Sequence, residues 1–307
     1  MQLATQMNYS KEDYETLKKA GAIARKVKDH ARTLVKPGMS LLEVAEKLEH
    51  SIRHEGKDAG VEAKPAFPIN LSVGNNAAHY TPGADDTAVV GEKDLLKVDI
   101  GVRIGGVCSD TAVTLDFSGE NGKLVEAAEQ ALQNALAVMK AGVSTKKIGQ
   151  EIQQTIEKYG FRPVENLCGH SIEPYVLHAG IEIPNVPFGG YELEEGDVFA
   201  VEPFASTGEG HVREDASICE IYSLAEPKPV RMQASRKLIE LVAEEYHTLP
   251  FAKRWLAEIP GLQLAINDLG KQGVMHGYPL LKERQGVLVS QAETDVIVEK
   301  DSVKVIV

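Results

Sequence analysis

The sequence predicts an α+β protein in which pairs of helices lead into short strands and a late helical block interrupts the second half. Three observations carry that expectation. Apolar residues recur at helical spacing in two segments before residue 60 and in two more between 123 and 159, and each pair leads into strand-rich chain. Residues 94–117 read as two strands joined by a glycine-rich turn. Residues from about 232 to 269 return to helical periodicity although the chain on both sides reads as strands.

The elements follow in order. Ser10-Lys11-Glu12-Asp13 and Ser40-Leu41-Leu42-Glu43 have the spacing of helix starts, and the second matches a capping box. Ile23, Val27, Ala31 and Leu34 mark the buried stripe of the first helix; Leu41, Val44, Ala45 and Leu48 mark that of the second. Lys36-Pro37-Gly38 separates them. Residues 61–91 carry Pro65, Pro68, Gly74, Pro82 and Gly83 and read as loop. After the hairpin, a helix is expected over Lys123–Ala141 and another from about Ser144 to Tyr159, stopped by Gly160. Short strands and turns fill 161–224, and strands return over Gly286–Val307. The repeated order, at 10–117 and 123–224, hints at a structural duplication.

Composition narrows the function. The chain has 307 residues, 43% hydrophobic and 25% charged, which suits a globular protein of one large domain or two ordinary ones. Lys and Arg total 33 against 45 Asp and Glu, a net charge of −12. That disfavours a general DNA, RNA or anionic-membrane binder, because attraction to phosphate needs a basic face. No run approaches the roughly 18 apolar residues of a membrane span, and the N-terminus lacks the basic and apolar regions of a signal peptide. The three cysteines are scattered and form no C-x-x-C, so a reducing compartment, the cytoplasm, is expected.

The hairpin carries the first chemical signal. With a two-residue loop at Ile104-Gly105, Asp99 falls opposite Asp110 on one face. Asp99 sits between Val98 and Ile100, so its surroundings are apolar. Facing carboxylates there need a counter-charge, which two divalent metals would supply; a solvated carboxylate pair, or one partnered by Arg103 or Lys97, is the competing reading. His170 lies in a glycine-flanked strand, Cys168-Gly169-His170-Ser171. Glu202 ends the apolar run Val198–Val201, and Glu293 follows Val287–Val289. Each is unremarkable alone. Together they make an oxygen-rich set with one imidazole, suited to manganese, iron, cobalt or zinc.

These stretches resemble a known family. Phe67-Pro68-Ile69-Asn70, Asn75 to Pro82, Val98-Asp99-Ile100-Gly101, Ser109-Asp110-Thr111, Gly169-His170-Ser171, His178-Ala179-Gly180, Val201-Glu202-Pro203-Phe204 and Gln291-Ala292-Glu293 are similar, in order and spacing, to type II methionine aminopeptidases. The resemblance covers nearly the whole chain. It implies the pita-bread metallopeptidase fold, a pseudo-two-fold antiparallel sheet flanked by helices. Residues 1–222 and 278–307 would form the catalytic domain and 223–277 a helical insertion subdomain. The sequence lacks the long charged N-terminal extension of eukaryotic members, which points to the archaeal short form.

The resemblance also implies roles. Asp99, Asp110, His170, Glu202 and Glu293 would hold two divalent ions, with Asp110 and Glu293 bridging them and a water between the ions as nucleophile. Glu202 would also serve as general base. His178 would stabilise the oxyanion, and His79 would position the scissile amide. Phe67 would line the methionine slot, whose far wall is open to question because Ile218 to Tyr222 offers no histidine. The partner would be the N-terminal methionine of nascent polypeptides, with ribosome association, a monomeric state, and no DNA or membrane contact. Gln2 is large, so such an enzyme would leave its own Met1 in place.

Two rival readings stand beside it. A proline-specific relative, an X-Pro dipeptidase or aminopeptidase P, would use the same five ligands behind a large N-terminal domain. A non-catalytic pita-bread binding protein would be expected to lack some of them. Elsewhere, His50 and His54 have metal spacing on a helix but lack the glutamate of H-E-x-x-H, and read as its polar face. Gly101 to Gly106 is a hairpin turn, not a dinucleotide loop.

Overall fold

Ser10 starts the first helix, α1 (Lys11–Leu34), with a reciprocal cap: the Asp13 N–H donates to Ser10 Oγ, and the Ser10 N–H donates to Asp13 Oδ2 at 2.8 Å. The better sequence match, at Ser40, makes no side-chain cap on α2 (Leu41–Asp58). There the backbone takes over: Leu41 N–H donates to Ala88 O, and Ser40 bridges to Val89. A partner from outside the helix has replaced the cap. The computed structural model describes residues 9–226 and 228–307; Met1 and Gln2 lie outside them.

The stripes on α1 and α2 are buried as expected, Ala20, Ile23, Val27 and Ala31 from one and Val44, Ala45, Leu48 and Ile52 from the other. They cover an antiparallel sheet in which strand Leu95–Ile104 pairs with Ala63–Pro65, Asn70–Val73 and Val107–Asp116. The second half repeats the plan. Helices α3 (Gly122–Val138) and α4 (Thr145–Lys158) pack on a sheet that includes Cys168–Ser171, Val198–Val201 and Thr294–Val298. Structural duplication and the α+β class are therefore both present.

The hairpin register differs from expectation. Ile104 pairs with Val107, so the loop is Gly105-Gly106. Gly105 takes φ +59°, as the first position of a II′-type turn requires. The expected loop would have put β-branched Ile104 there, where L residues are strained. As a result Asp99 faces Ala112, and Asp110 faces Gly101. The two carboxylates keep one face but sit diagonally, with a Cα separation of about 7–8 Å typical of such pairs.

A short ladder, Asn76–Ala78 with Leu280–Lys282, joins the halves, and side chains add to it. The Thr111 hydroxyl donates to Glu293 O at 2.7 Å, and the Asp110 N–H to Asp295 Oδ2 at 2.6 Å. Thr114 Oγ1 donates to Gln291 O at 2.7 Å and accepts from its N–H at 2.9 Å. Between strands Ile221–Leu224 and Met275–Tyr278, which pair antiparallel, the chain forms α5 (Gln233–Glu245), a 3₁₀ turn (Lys253–Leu256) and α6 (Leu262–Lys271). Leu238, Val242, Phe251 and Leu269 give this block its own apolar core.

Candidate metal centre

All eight residues singled out in the sequence meet in one cavity of about 220 Å³: Phe67, His79, Asp99, Asp110, His170, His178, Glu202 and Glu293. The hairpin supplies Asp99 and Asp110 from mid-strand. Strand Cys168–Ser171 supplies His170. Glu202 and Glu293 stand one residue beyond the last ladder pair, Val201 with Thr294, and so lie at the same level on neighbouring strands.

Asp110, His170 and Glu293 each present a ligand atom within 4.8 Å of the others. His170 Nε2 lies 3.7 Å from Asp110 Oδ2 and 3.8 Å from Glu202 Oε1. The Gln291 amide donates to Glu202 Oε2 at 3.3 Å and to Glu293 Oε2 at 3.2 Å. The basic residues that compete as counter-charges in the sequence are engaged elsewhere. Lys97 Nζ donates to Gly74 O and Val289 O, and the Arg103 guanidinium donates to Gly105 O and Glu245 O.

Crowded carboxylates without a cation resist ionisation. Burial pushes Asp99 up to about 7. Asp110, Glu202 and Glu293 are also raised, first by burial and then by the carboxylates beside them. Burial, then His178, lowers His170. Asp99 Oδ1 and Asp110 Oδ1 are buried without a protein hydrogen-bond partner. Unpartnered carboxylate oxygens beside a neutral imidazole are the donor set that a divalent cation of intermediate softness takes.

The rest of the cavity is apolar or neutral. The Phe67 ring lies over Gly101, where any added Cβ would come within 2.3 Å of it. Leu177, Phe204, Ile221, Tyr278 and Leu281 complete the wall, so Ile221 fills the side where the sequence offered no histidine. His79 holds φ +66°, rare for a residue with a side chain. Its Nδ1 lies 3.2 Å from Pro279 O, which makes Nδ1–H the donor and leaves Nε2 as an acceptor. Burial lowers its pKa to about 4. His178 stands at the open rim, its ring 4.3 Å from that of His170, and its pKa is also lowered by its surroundings and by His276.

Gln291 and Tyr278 are among the site residues that escaped the sequence reading. Gln291 shares a face with Glu293 by the two-residue strand period, a signal that was available. Tyr278 follows a helical block, and nothing local in His276-Gly277-Tyr278 announces a pocket wall. His50 and His54 are exposed on α2, as expected of a polar face. A larger groove of about 670 Å³ runs beside Tyr80, Arg254 and Leu264, but no histidine lines it and the carboxylate cluster lies elsewhere.

The chain is similar to known proteins. A family model described as metallopeptidase family M24 matches residues 15–227. A methionine aminopeptidase of Pyrococcus abyssi is 50% identical over 296 residues, covering 95% of this chain and 98% of that protein. One from Pyrococcus horikoshii is 49% identical over 298 residues, covering 95% and 99%. Among solved structures, a thermophilic Arx1 superposes with TM-score 0.85 at 18% identity over 97% of this chain and 91% of that one. A methionine aminopeptidase from Rickettsia prowazekii gives 0.70 at 19% identity over 98% and 99%. At these identities the structural likeness speaks for the fold alone.

Proposed function

The chain belongs to metallopeptidase family M24, and from that premise we propose that it removes the N-terminal methionine from nascent proteins and peptides. The observation that carries the reading is the placement of a small apolar slot directly against the five-residue ligand set. The cavity that holds both is about 220 Å³, below the roughly 300–1,000 Å³ of ordinary ligand pockets, and so leaves room for a small side chain beside the ligand set.

Membership of the family implies divalent metal. Two ions, drawn from cobalt, manganese, iron and zinc, would be held by Asp99, Asp110, His170, Glu202 and Glu293. When bound they supply a water ionised near neutral pH and polarise the scissile carbonyl. The protein's own groups do the rest. Glu202, oriented by Gln291, takes a proton from the attacking water and returns it to the leaving amine. His178, neutral at pH 7, donates N–H to the developing oxyanion. His79 Nε2 accepts the N–H of the scissile amide and fixes its orientation. With its pKa near 4, His79 is not the proton donor to the leaving group.

The same reading places residues 223–277 as an insertion subdomain on a catalytic domain of 1–222 and 278–307. It also makes the protein a cytoplasmic monomer that meets its substrates at the ribosome, as N-terminal methionines emerge. Among the described residues no helix is long and apolar enough to cross a membrane. The deciding experiment is metal-reconstituted hydrolysis of Met-Gly-X peptides against Gly-Pro and X-Pro peptides. Cleavage of the first set is expected. Preference for the proline peptides would move the protein to the X-Pro branch, and no cleavage of either would favour the non-catalytic reading.

A further inference from the structure

His79 holds a left-handed backbone, uncommon for a residue with a side chain although His adopts it more readily than most, and contacts outside it support that conformation. Contacts hold the loop from several sides; next to His79, the Leu71 N–H donates to Tyr80 O at 2.6 Å. Arg254, in the 3₁₀ turn between α5 and α6, donates from Nη1 to Thr81 Oγ1 at 2.6 Å and to Pro82 O at 3.0 Å, two and three residues beyond His79. Its Nη2 is paired with Glu49 Oε1 on α2, and Glu49 Oε2 accepts from Trp255 Nε1 at 2.9 Å. Both charged side chains are almost wholly buried, at 4% and 5% exposure. Thr81 passes the connection on by donating to Ile69 O at 2.8 Å. On the other side, the limb that returns from α6 supplies Pro279 O to His79 Nδ1 and the edge of Tyr278 to its ring, with centroids 5.7 Å apart.

We propose that the late helical block and the strand that returns from it position His79: Arg254, anchored by Glu49, fixes the backbone of the His79–Pro82 loop while Tyr278 and Pro279, at the end of that strand, fix the ring. A guanidinium suits the task because its planar fork reaches a carboxylate, a hydroxyl and a carbonyl at once. Arg254 and Thr81 act through His79 and touch no substrate, so they are positioning residues. The inference rests on the reading of His79 as a group that contacts the scissile amide.

The test is a double-mutant cycle on the metal-loaded enzyme, with steady-state hydrolysis of a Met-Gly-X peptide by His79→Ala, Arg254→Met, Thr81→Val and the two doubles with His79→Ala. Thr81→Val keeps the shape and the Glu49–Arg254 pair, so it preserves the test if Arg254→Met fails to fold. The expected singles are roughly a 100-fold loss in kcat for His79→Ala and about tenfold for each of the others, with KM moving by less than about threefold. In the His79→Ala background each second change should cost less than about twofold. Full additive losses in the doubles would overturn the positioning role and leave His79's role standing. Wild-type kcat in His79→Ala would instead overturn the reading of His79, and the inference with it.

Discussion

The two halves of the molecule build the same ladder in different ways. In the first half, strand Leu95–Ile104 pairs with Val107–Asp116 without interruption, and both carboxylates project from mid-strand across a two-residue turn. In the second, one register runs from Ile297 with Val198 to Val201 with Thr294 and resumes at Phe204 with Gln291. Between these points the ladder is broken at Glu202-Pro203 and Ala292-Glu293, where its two carboxylates sit. The first half is a local hairpin. The second joins segments far apart in sequence, Gln291 and Glu202 being separated by 89 residues. A continuous strand can carry ligands on its face, whereas a broken one can turn its end residues into the cavity and spare their main chain for other partners. On the proposed function the halves would do different work: the hairpin as a rigid platform, and the break as the holder of Glu202, the proposed base.

The largest test of that division is Glu202→Gln. It removes the carboxylate that faces both Gln291 and His170 and leaves the shape unchanged. kcat should fall by roughly 10³-fold or more, while circular dichroism stays native and the metal-free protein, relieved of a buried carboxyl, unfolds no earlier than wild type. Near-wild-type turnover would remove Glu202 as base and with it the contrast between the halves.

Next in size is the metal-free stability of the platform. Burial raises Asp99 to about 7, against about 3.9 in an unfolded chain. A raised carboxyl contributes its stability fully below the unfolded value. That contribution is lost as pH climbs from about 4 through 7, because the unfolded chain ionises first. Histidines lowered by burial act in the opposite sense below about 6.5, so the wild-type profile alone mixes the two. Asp99→Asn isolates the carboxyl. Without metal at pH 8 the variant should be the more stable, by on the order of 4 kcal/mol, and the difference should vanish toward pH 4. Chemical denaturation at both pH values checks it, and equal stability at pH 8 would mean that the platform tolerates its charges without metal.

How much of this was readable depends on the same contrast. The helix pairs, the hairpin and the late helical block were legible because apolar periodicity is local. The hairpin register was missed by one residue on each strand, since the sequence Ile104-Gly105-Gly106 allows two placements of the loop and only backbone strain at Ile104 separates them. The second-half candidate ligands carry no local mark: Glu202 and Glu293 are strand-end glutamates like many on protein surfaces. The order of the motifs brought them out, through resemblance. Tyr278 was not found because its place in the wall depends on the returning limb of the insertion, and the bonds of Arg254 to Thr81 and Pro82 span more than 170 residues.

Gly101→Ala probes how closely the platform and the slot share one surface. The added Cβ would enter the Phe67 ring, opposite Asp110. Overpacking of this kind costs about 1–3 kcal/mol of stability. Phe67 walls the slot rather than the ligand set, so KM for Met-Gly-X should rise about tenfold with a smaller change in kcat. Loss of metal affinity by titration calorimetry, with KM unchanged, would show instead that the strain passes into Asp99 and Asp110.

The smallest expected effect asks what causes the break in the second ladder. Ala292 N–H donates to Pro203 O at 3.2 Å, and Pro203 has no N–H to return. Either the proline interrupts the strand, or the interruption is held by Gln291 bonding Glu202 and Glu293, and the proline only tolerates it. The geometry favours the second cause. The Gln291 amide grips both carboxylates, and Thr111 and Thr114 take the carbonyls of Glu293 and Gln291 that a regular strand would offer to a neighbour. Pro203→Ala should then cost only about 0.5–1 kcal/mol, through the greater freedom of the unfolded chain, with kcat and KM within about threefold of wild type. A large fall in kcat at nearly unchanged stability would mean that the variant closes the ladder and turns Glu202 away from the cavity. The break would then be written in one proline instead of in the contacts between the two halves.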